Sequence, residues 1–228
     1  MVIRFTQKLI GIARQFVYRY RYSLSPKVFC VGRNKTGTTS MASIFRELDL
    51  AVAPQRPAER LALEWTKGNY TRLLRFVKYR GQAFQDLPFS LPGCYATMDK
   101  AFPGSKFILT VRDSADVWYR SLTSFHSKKF SDGRLPTKAD LQQADYLYPG
   151  FAWEINRVLY KSPEGSPYDE TVLKASYEAH NESIVQYFAD RPESLLVVNL
   201  KDTDAAIRIS SFLNTGKTID RIPWKNKT

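Results

Sequence analysis

Cysteine and histidine are scarce in this chain: two of each in 228 residues. Cys30 and Cys94 cannot build a disulfide framework, so a reducing, cytoplasmic compartment is expected. The four residues lie far apart and in no ligand spacing, which argues against a structural zinc site. No apolar run is long enough to span a bilayer. Acidic residues are missing altogether before Glu47, whereas nine basic residues occur up to Arg46. Over the whole chain 34 Lys and Arg face 22 Asp and Glu, a net charge of +12. That balance favours anionic partners: phosphorylated or sulfated ligands, nucleic acid or an acidic membrane surface. Aromatic residues, by contrast, make up 14%, ample to build a core, so a disordered chain is excluded and one large domain is expected.

Residues 2–20 fit an amphipathic basic helix. Val2, Phe5, Leu9, Ile12, Ala13, Phe16 and Tyr20 form one stripe, with Arg4, Lys8, Arg14 and Arg19 opposite. The apolar run Leu9–Ala13 is too short for a signal peptide. Such a helix can dock on the core, or it can make peripheral contact with an anionic membrane. A nucleic-acid partner is disfavoured, because no recognition motif accompanies the charge.

Further along, Lys27–Gly32, Gln82–Asp86, Lys106–Val111 and Leu195–Leu200 read as strands, being short apolar runs bounded by turn residues. Between them, helical patterns follow Gly37, occupy two segments of 58–79 broken near Gly68, and cover 114–126, 151–161, 169–190 and 202–213. Residues 127–150 read as a long polar loop, suited to a lid on a substrate. Strands alternating with helices predict an α/β fold with a mainly parallel central sheet flanked by helices.

Gly32-Arg33-Asn34-Lys35-Thr36-Gly37-Thr38-Thr39-Ser40 joins the first strand to a helix. Small residues let backbone N–H groups of the loop and of the first helical turn converge on an oxyanion, with Lys35 and three hydroxyls beside them. The spacing of Gly32 and Gly37 is that of GxxxxGK[ST], but Thr38 stands where that motif has its lysine. The loop is a phosphate cradle with its cation on the loop side; a capped turn is the plainer alternative.

K-T-G-T-T-S after a buried strand resembles the 5′-phosphosulfate loop of sulfotransferases that use 3′-phosphoadenosine 5′-phosphosulfate (PAPS). Three further segments are similar, in the same order. Phe107–Leu122 resembles the family's 3′-phosphate element, a strand ending in Arg-Asp with a serine in the next helix. Arg112 and Ser121 match it, although Ser121 follows by nine residues where eight is usual. Phe84–Pro88 is similar to the K-T-H-L-P segment of cytosolic members; Asp86 then stands at the base position and Phe84 replaces the lysine. The C-terminal third, through Pro223-Trp224-Lys225, resembles the bacterial-type branch. The R-K-G signature for the 3′-phosphate is absent, with Lys225 or Lys227 as substitutes, and Ser40 stands where a tryptophan often stacks on adenine.

The resemblance covers residues 27–228, leaving 1–26 as a separate N-terminal helix, and implies a P-loop-type three-layer fold. It implies PAPS as co-substrate without a metal, and transfer to a hydroxyl of a carbohydrate, lipid or small molecule. Lys35 and Asp86 would be catalytic. Arg33, Lys35, Thr36, Gly37, Thr38, Thr39, Ser40, Arg112 and Ser121 would bind the donor. The plainer alternative for Asp86 is a turn cap, and for Arg112 a strand-end ion pair with Asp113 or Asp116. A P-loop kinase with a deviant loop, and a non-catalytic anion- or membrane-binding module, are the competing functions. The acceptor pocket would be drawn from 54–80 and 127–165, with Trp65, Tyr70, Tyr79, Tyr146, Tyr148, Phe151 and Trp153 as aromatic candidates.

Overall fold

A computed structural model describes residues 22–223. The amphipathic segment 2–20 and the candidates Lys225 and Lys227 lie outside the described residues. Four parallel strands form one sheet: β1 (Val28–Cys30), β2 (Ala83–Gln85), β3 (Lys106–Val111) and β4 (Leu195–Asn199), in the order β2-β1-β3-β4. Parallel neighbours need crossovers, and helices supply them. In chain order these are α1 (Thr38–Glu47), α2 (Gln55–Glu59), α3 (Ala62–Thr66), α4 (Thr71–Arg80), α5 (Cys94–Ala101), α6 (Ala115–Phe130), α7 (Lys138–Gln143), α8 (Phe151–Tyr160), α9 (Glu170–Tyr187) and α10 (Ala205–Leu213).

Side-chain alternation along the strands builds two cores, one on each face. Register places Phe29 opposite both Phe84 and Phe107, and its ring stacks on each at 5.3 Å between centroids. These rings join residues of α4 to α9 in the larger core. Each fully buried Phe contributes about 1.5–3 kcal/mol. On the other face Val28, Cys30 and Ile108 meet Met41, Ile44 and Phe45 of α1 and Ala205, Ala206, Ile209 and Leu213 of α10. The result is the three-layer α/β arrangement expected from the alternation.

The strand order carries the functional consequence. From β1 the chain moves to β2 on one side, then returns past β1 to β3 on the other. The loops leaving β1 and β3 therefore diverge, opening a crevice at their carboxyl ends.

The elements depart from expectation in three places. Residues 127–150 are not one loop: α6 continues to Phe130 and α7 lies within the segment. A capping box starts α7, the Thr137 hydroxyl accepting from the Asp140 N–H while the Asp140 carboxylate accepts from the Thr137 N–H. The two helices expected within 58–79 are present as α3 and α4 with the break around Gly68, but α2 ahead of them was not anticipated. Helix α5 was not anticipated; its eight residues carry a mixed pattern with no side-chain cap.

Candidate functional site

The loop after β1 is held from outside through its carbonyl groups. Thr36 Oγ1 donates to the Arg33 carbonyl (2.6 Å), Trp118 Nε1 to that of Asn34 (3.0 Å), and Arg112 Nε to that of Lys35 (2.7 Å). Tyr160 also donates to the Asn34 side chain (2.9 Å). Three successive carbonyls are thus turned toward protein donors, the arrangement from which a nest of N–H groups arises. Gly37 precedes α1 at φ 106°, with no side-chain cap and no acidic residue in the first turn. Helix geometry leaves the first-turn N–H groups without intrahelical acceptors, so this end of the cavity attracts an anion. Close packing requires Gly32: a Cβ there would lie 2.2 Å from Thr110 Oγ1.

Above the loop lies a cavity of about 880 Å³. Lys35, Gly37, Thr38, Thr39, Ser40, Asp86 and Arg112 line one side of it; Gln55, Glu59, Gln85, His126, Lys129 and Tyr146 also contribute. Thr38 Oγ1 donates to Asp86 Oδ2 (3.0 Å), and the Leu87 N–H donates to Asp86 Oδ1 (3.0 Å). Burial raises the Asp86 carboxyl above its usual range, opposed by those two hydrogen bonds and by Lys129 and Lys35. Burial lowers the Lys35 ammonium, and the neighbouring Arg112 lowers it further. Its Nζ lies 4.0 Å from the centre of the Phe125 ring. Lys129 Nζ sits 3.6 Å from the centre of the Tyr146 ring and is likewise lowered by burial. Among the described residues neither lysine nor Arg112 forms an ion pair with a carboxylate.

A family model described as a sulfotransferase domain matches residues 27–228. The chain belongs to the sulfotransferase family. A comparison with curated protein sequences finds no match.

Within this sulfotransferase domain the residues expected from sequence divide into two groups. Lys35, Gly37, Thr38, Thr39, Ser40, Asp86 and Arg112 share the cavity. Three side chains do not line it. Arg33 is 2% exposed, and its guanidinium donates to the carbonyls of Ser90 (2.9 Å) and Leu159 (3.1 Å). Thr36 is committed to the Arg33 carbonyl and to Thr110 Oγ1 at 2.6 Å. Both hold the loop's shape. Ser121 is not among the lining residues, and its buried Oγ has no hydrogen-bond partner. The plainer alternative for Arg112 is not realised: Asp113 pairs with Lys201 (2.8 Å) and Asp116 with Lys174. Asp86 does brace its own turn through Leu87, while also lining the cavity.

Of the aromatic candidates, Tyr146 and Phe151 line the cavity, whereas Trp65, Tyr70, Tyr79, Tyr148 and Trp153 do not. Lys129, Glu59, Gln55 and Gln85 were not singled out from sequence. They come from three separate elements, and no local spacing marks their convergence. His126 lines the cavity, with Nδ1 2.7 Å from the Tyr168 hydroxyl; burial and the two lysines push its pKa down to about 3, so the ring is neutral. His180 is buried, with Nε2 2.9 Å from the Val31 carbonyl. Among the described residues no group of His, Cys, Asp and Glu is placed to hold a metal ion, and no helix is long and apolar enough to cross a membrane.

Proposed function

We propose that this sulfotransferase moves the sulfuryl group of PAPS to an alcohol by in-line displacement. The observation that carries this reading is the pairing of an anion cradle, flanked by two ammonium groups lacking carboxylate partners, with a buried carboxyl in the same cavity. That donor set fits a phosphosulfate. The backbone N–H groups at the start of α1 hold the 5′-phosphate, and the helix dipole favours its charge. Lys35 meets the charge that grows on the bridging oxygen as the S–O bond breaks. Lys129 supplies, from α6, the second cation for which Phe84 leaves no group: Phe84 is interior, 1% exposed. Arg112 turns its remaining donors to the 3′-phosphate, and Lys201 lines the same cavity. Ser121 does not share in this clamp in the arrangement described.

Asp86 accepts the acceptor's proton as its oxygen attacks sulfur. An unperturbed carboxylate is a weak base; burial strengthens it, and Thr38 fixes its orientation. His126 is a poorer base, because burial and the two lysines make its ring hard to protonate.

Thermal unfolding with adenosine 3′,5′-bisphosphate tests the reading, because a ligand bound only by the folded state raises its stability. The bisphosphate should raise the melting temperature without Mg²⁺, and more than adenosine 5′-phosphate does. A larger shift with ATP and Mg²⁺ would favour the kinase instead.

A further inference from the structure

Two side chains that line the cavity each carry a buried oxygen with no hydrogen-bond partner: Glu59 Oε2 and Gln85 Oε1. They end one connected chain of side chains. Tyr146 donates its hydroxyl proton to Glu59 Oε1 (2.9 Å), and Gln55 Nε2 donates to the same oxygen (3.3 Å) and to the Leu87 carbonyl (2.9 Å). Gln85 Nε2 donates to Gln55 Oε1 (3.0 Å). The amide orientations follow from this chain. Leu87 offers only a carbonyl, so the NH₂ of Gln55 must face it and its oxygen must face Gln85. Gln85 must then present its NH₂ to Gln55, and its own oxygen is left over. At the other end Arg56 Nη1 stands 3.6 Å from Glu59 Oε2, too far for a hydrogen bond, on a side chain that is 56% exposed. Glu59 itself is 5% exposed, and its carboxyl is pushed up by burial.

Buried acceptors without donors are costly, by about 1–3 kcal/mol each. Gln85 adjoins Asp86, which accepts the reacting hydroxyl's proton in the mechanism above. Glu59, Gln85 and Asp86 therefore bring three acceptor groups to the lining of one cavity, and two of their oxygens have no protein donor. A cationic ligand would satisfy them, but Lys35, Lys129 and Arg112 share the space and repel it. Phe130, Leu141, Phe151 and Ile155 give the same cavity an apolar part of its lining.

We propose that Glu59 and Gln85 form an acceptor subsite for neutral polyhydroxylated molecules: one hydroxyl is presented to Asp86 and neighbouring hydroxyls donate to Gln85 Oε1 and Glu59 Oε2, while the molecule's apolar face lies on the aromatic and aliphatic wall. This rests on the transfer to an alcohol proposed above and narrows its acceptor to polyols such as sugars.

Calorimetric titration of the full chain, loaded with adenosine 3′,5′-bisphosphate, tests it with two matched pairs of probes: trans-1,2-cyclohexanediol against cyclohexanol, and phenyl β-D-glucopyranoside against benzyl alcohol. The polyol of at least one pair should bind about tenfold more tightly than its mono-alcohol. Glu59→Gln places a donor where the orphan acceptor stood, and Gln85→Met removes the other acceptor; each should bring the ratio toward one while bisphosphate affinity stays unchanged. The wild-type ratio decides without the variants. Equal binding of both members in both pairs, binding of none, or an unchanged ratio in two folded variants overturns the subsite. If the bisphosphate fails to bind, the same titrations on the unloaded chain still read the subsite, and a surviving polyol preference would remove the PAPS reading alone.

Discussion

Lys35 and Asp86 share an unusual backbone. Six non-glycine residues among those described have positive φ. Asp49, Asp132, Lys161 and Asn214 follow helix ends, where a left-handed residue is ordinary. Lys35 (φ 68°) and Asp86 (φ 58°) instead stand in loops at strand ends, where the conformation costs about 1 kcal/mol or more and aims a side chain that an extended backbone would turn elsewhere. Replacing Lys35 with Ala should lower kcat by about 10²–10³-fold, as loss of one preorganised charge contact does in comparable sites. Asp86→Asn should lower it by about 10²-fold or more, and the acid limb of the wild-type pH–rate profile should vanish with it. The stability effect has the opposite sign. The folded state holds the Asp86 proton more tightly than the unfolded chain, so this carboxyl's contribution to stability is present below its unfolded pKa near 3.8 and is lost as pH rises through the raised folded value. The Asn variant should therefore melt higher than the wild type at pH 7, with the gap closing toward pH 4. A variant that melts lower at pH 7 would show that burial does not dominate at Asp86.

At the scale of elements, the cradle depends on what holds it from behind. Trp118 stacks on Tyr177, with ring centroids 4.6 Å apart, and the Tyr177 hydroxyl accepts from the Arg112 N–H (2.9 Å). Helices α6 and α9 thereby brace the β1 loop and the end of β3 together. Trp118→Phe keeps the aromatic packing but leaves the Asn34 carbonyl unpaired. It should destabilise the domain by about 1–3 kcal/mol in denaturant titration and weaken bisphosphate binding several-fold, although Trp118 does not line the cavity. Gly37→Ala adds a Cβ 2.4 Å from Leu200 Cδ1 at φ 106°, and should cost more in bisphosphate affinity than in melting temperature.

These supports also explain which parts were legible in the sequence. The strands were, because a buried parallel strand is a short apolar run between turn residues, and Lys106–Val111 is observed with the bounds expected of it. Six loop and strand-end residues of the cavity were legible for a related reason: Lys35, Gly37, Thr38, Thr39, Ser40 and Arg112 sit in contiguous segments whose spacing is itself the signal. The exceptions within the loop are Arg33, committed to the Ser90 and Leu159 carbonyls, and Thr36, whose hydroxyl is spent on Arg33 and Thr110, a choice settled by the close approach of β3. Helix α7 was missed although T-K-A-D carries the capping-box spacing. Gln55, Glu59 and Lys129 fall in the segments 54–80 and 127–165 expected to supply the pocket, but neither they nor Gln85 could be singled out, because α2, β2 and α6 meet through the packing of the larger core.

For the whole molecule, the sheet order gathers these pieces. Each of the three strands β1, β2 and β3 ends in a charged residue of the site: Lys35 beyond the first, Asp86 after the second and Arg112 after the third. The crevice opens where the strand order reverses, so cations attached to different strands surround one low-dielectric space. A cleft of that kind focuses the field of a chain carrying a net +12 and speeds the capture of a multivalent anion. Stopped-flow association of adenosine 3′,5′-bisphosphate should therefore slow by several-fold between 0.01 and 0.15 M salt, as the Debye length falls from about 30 to 8 Å. Dissociation should change less, because the close contacts of Arg112 and the cradle are sheltered from screening. Mg²⁺ should slow capture further by pairing with the phosphates, whereas a kinase site would require it. An association rate indifferent to both salt and Mg²⁺ would mean that the cations beyond β1 and β3 do not act on the ligand together.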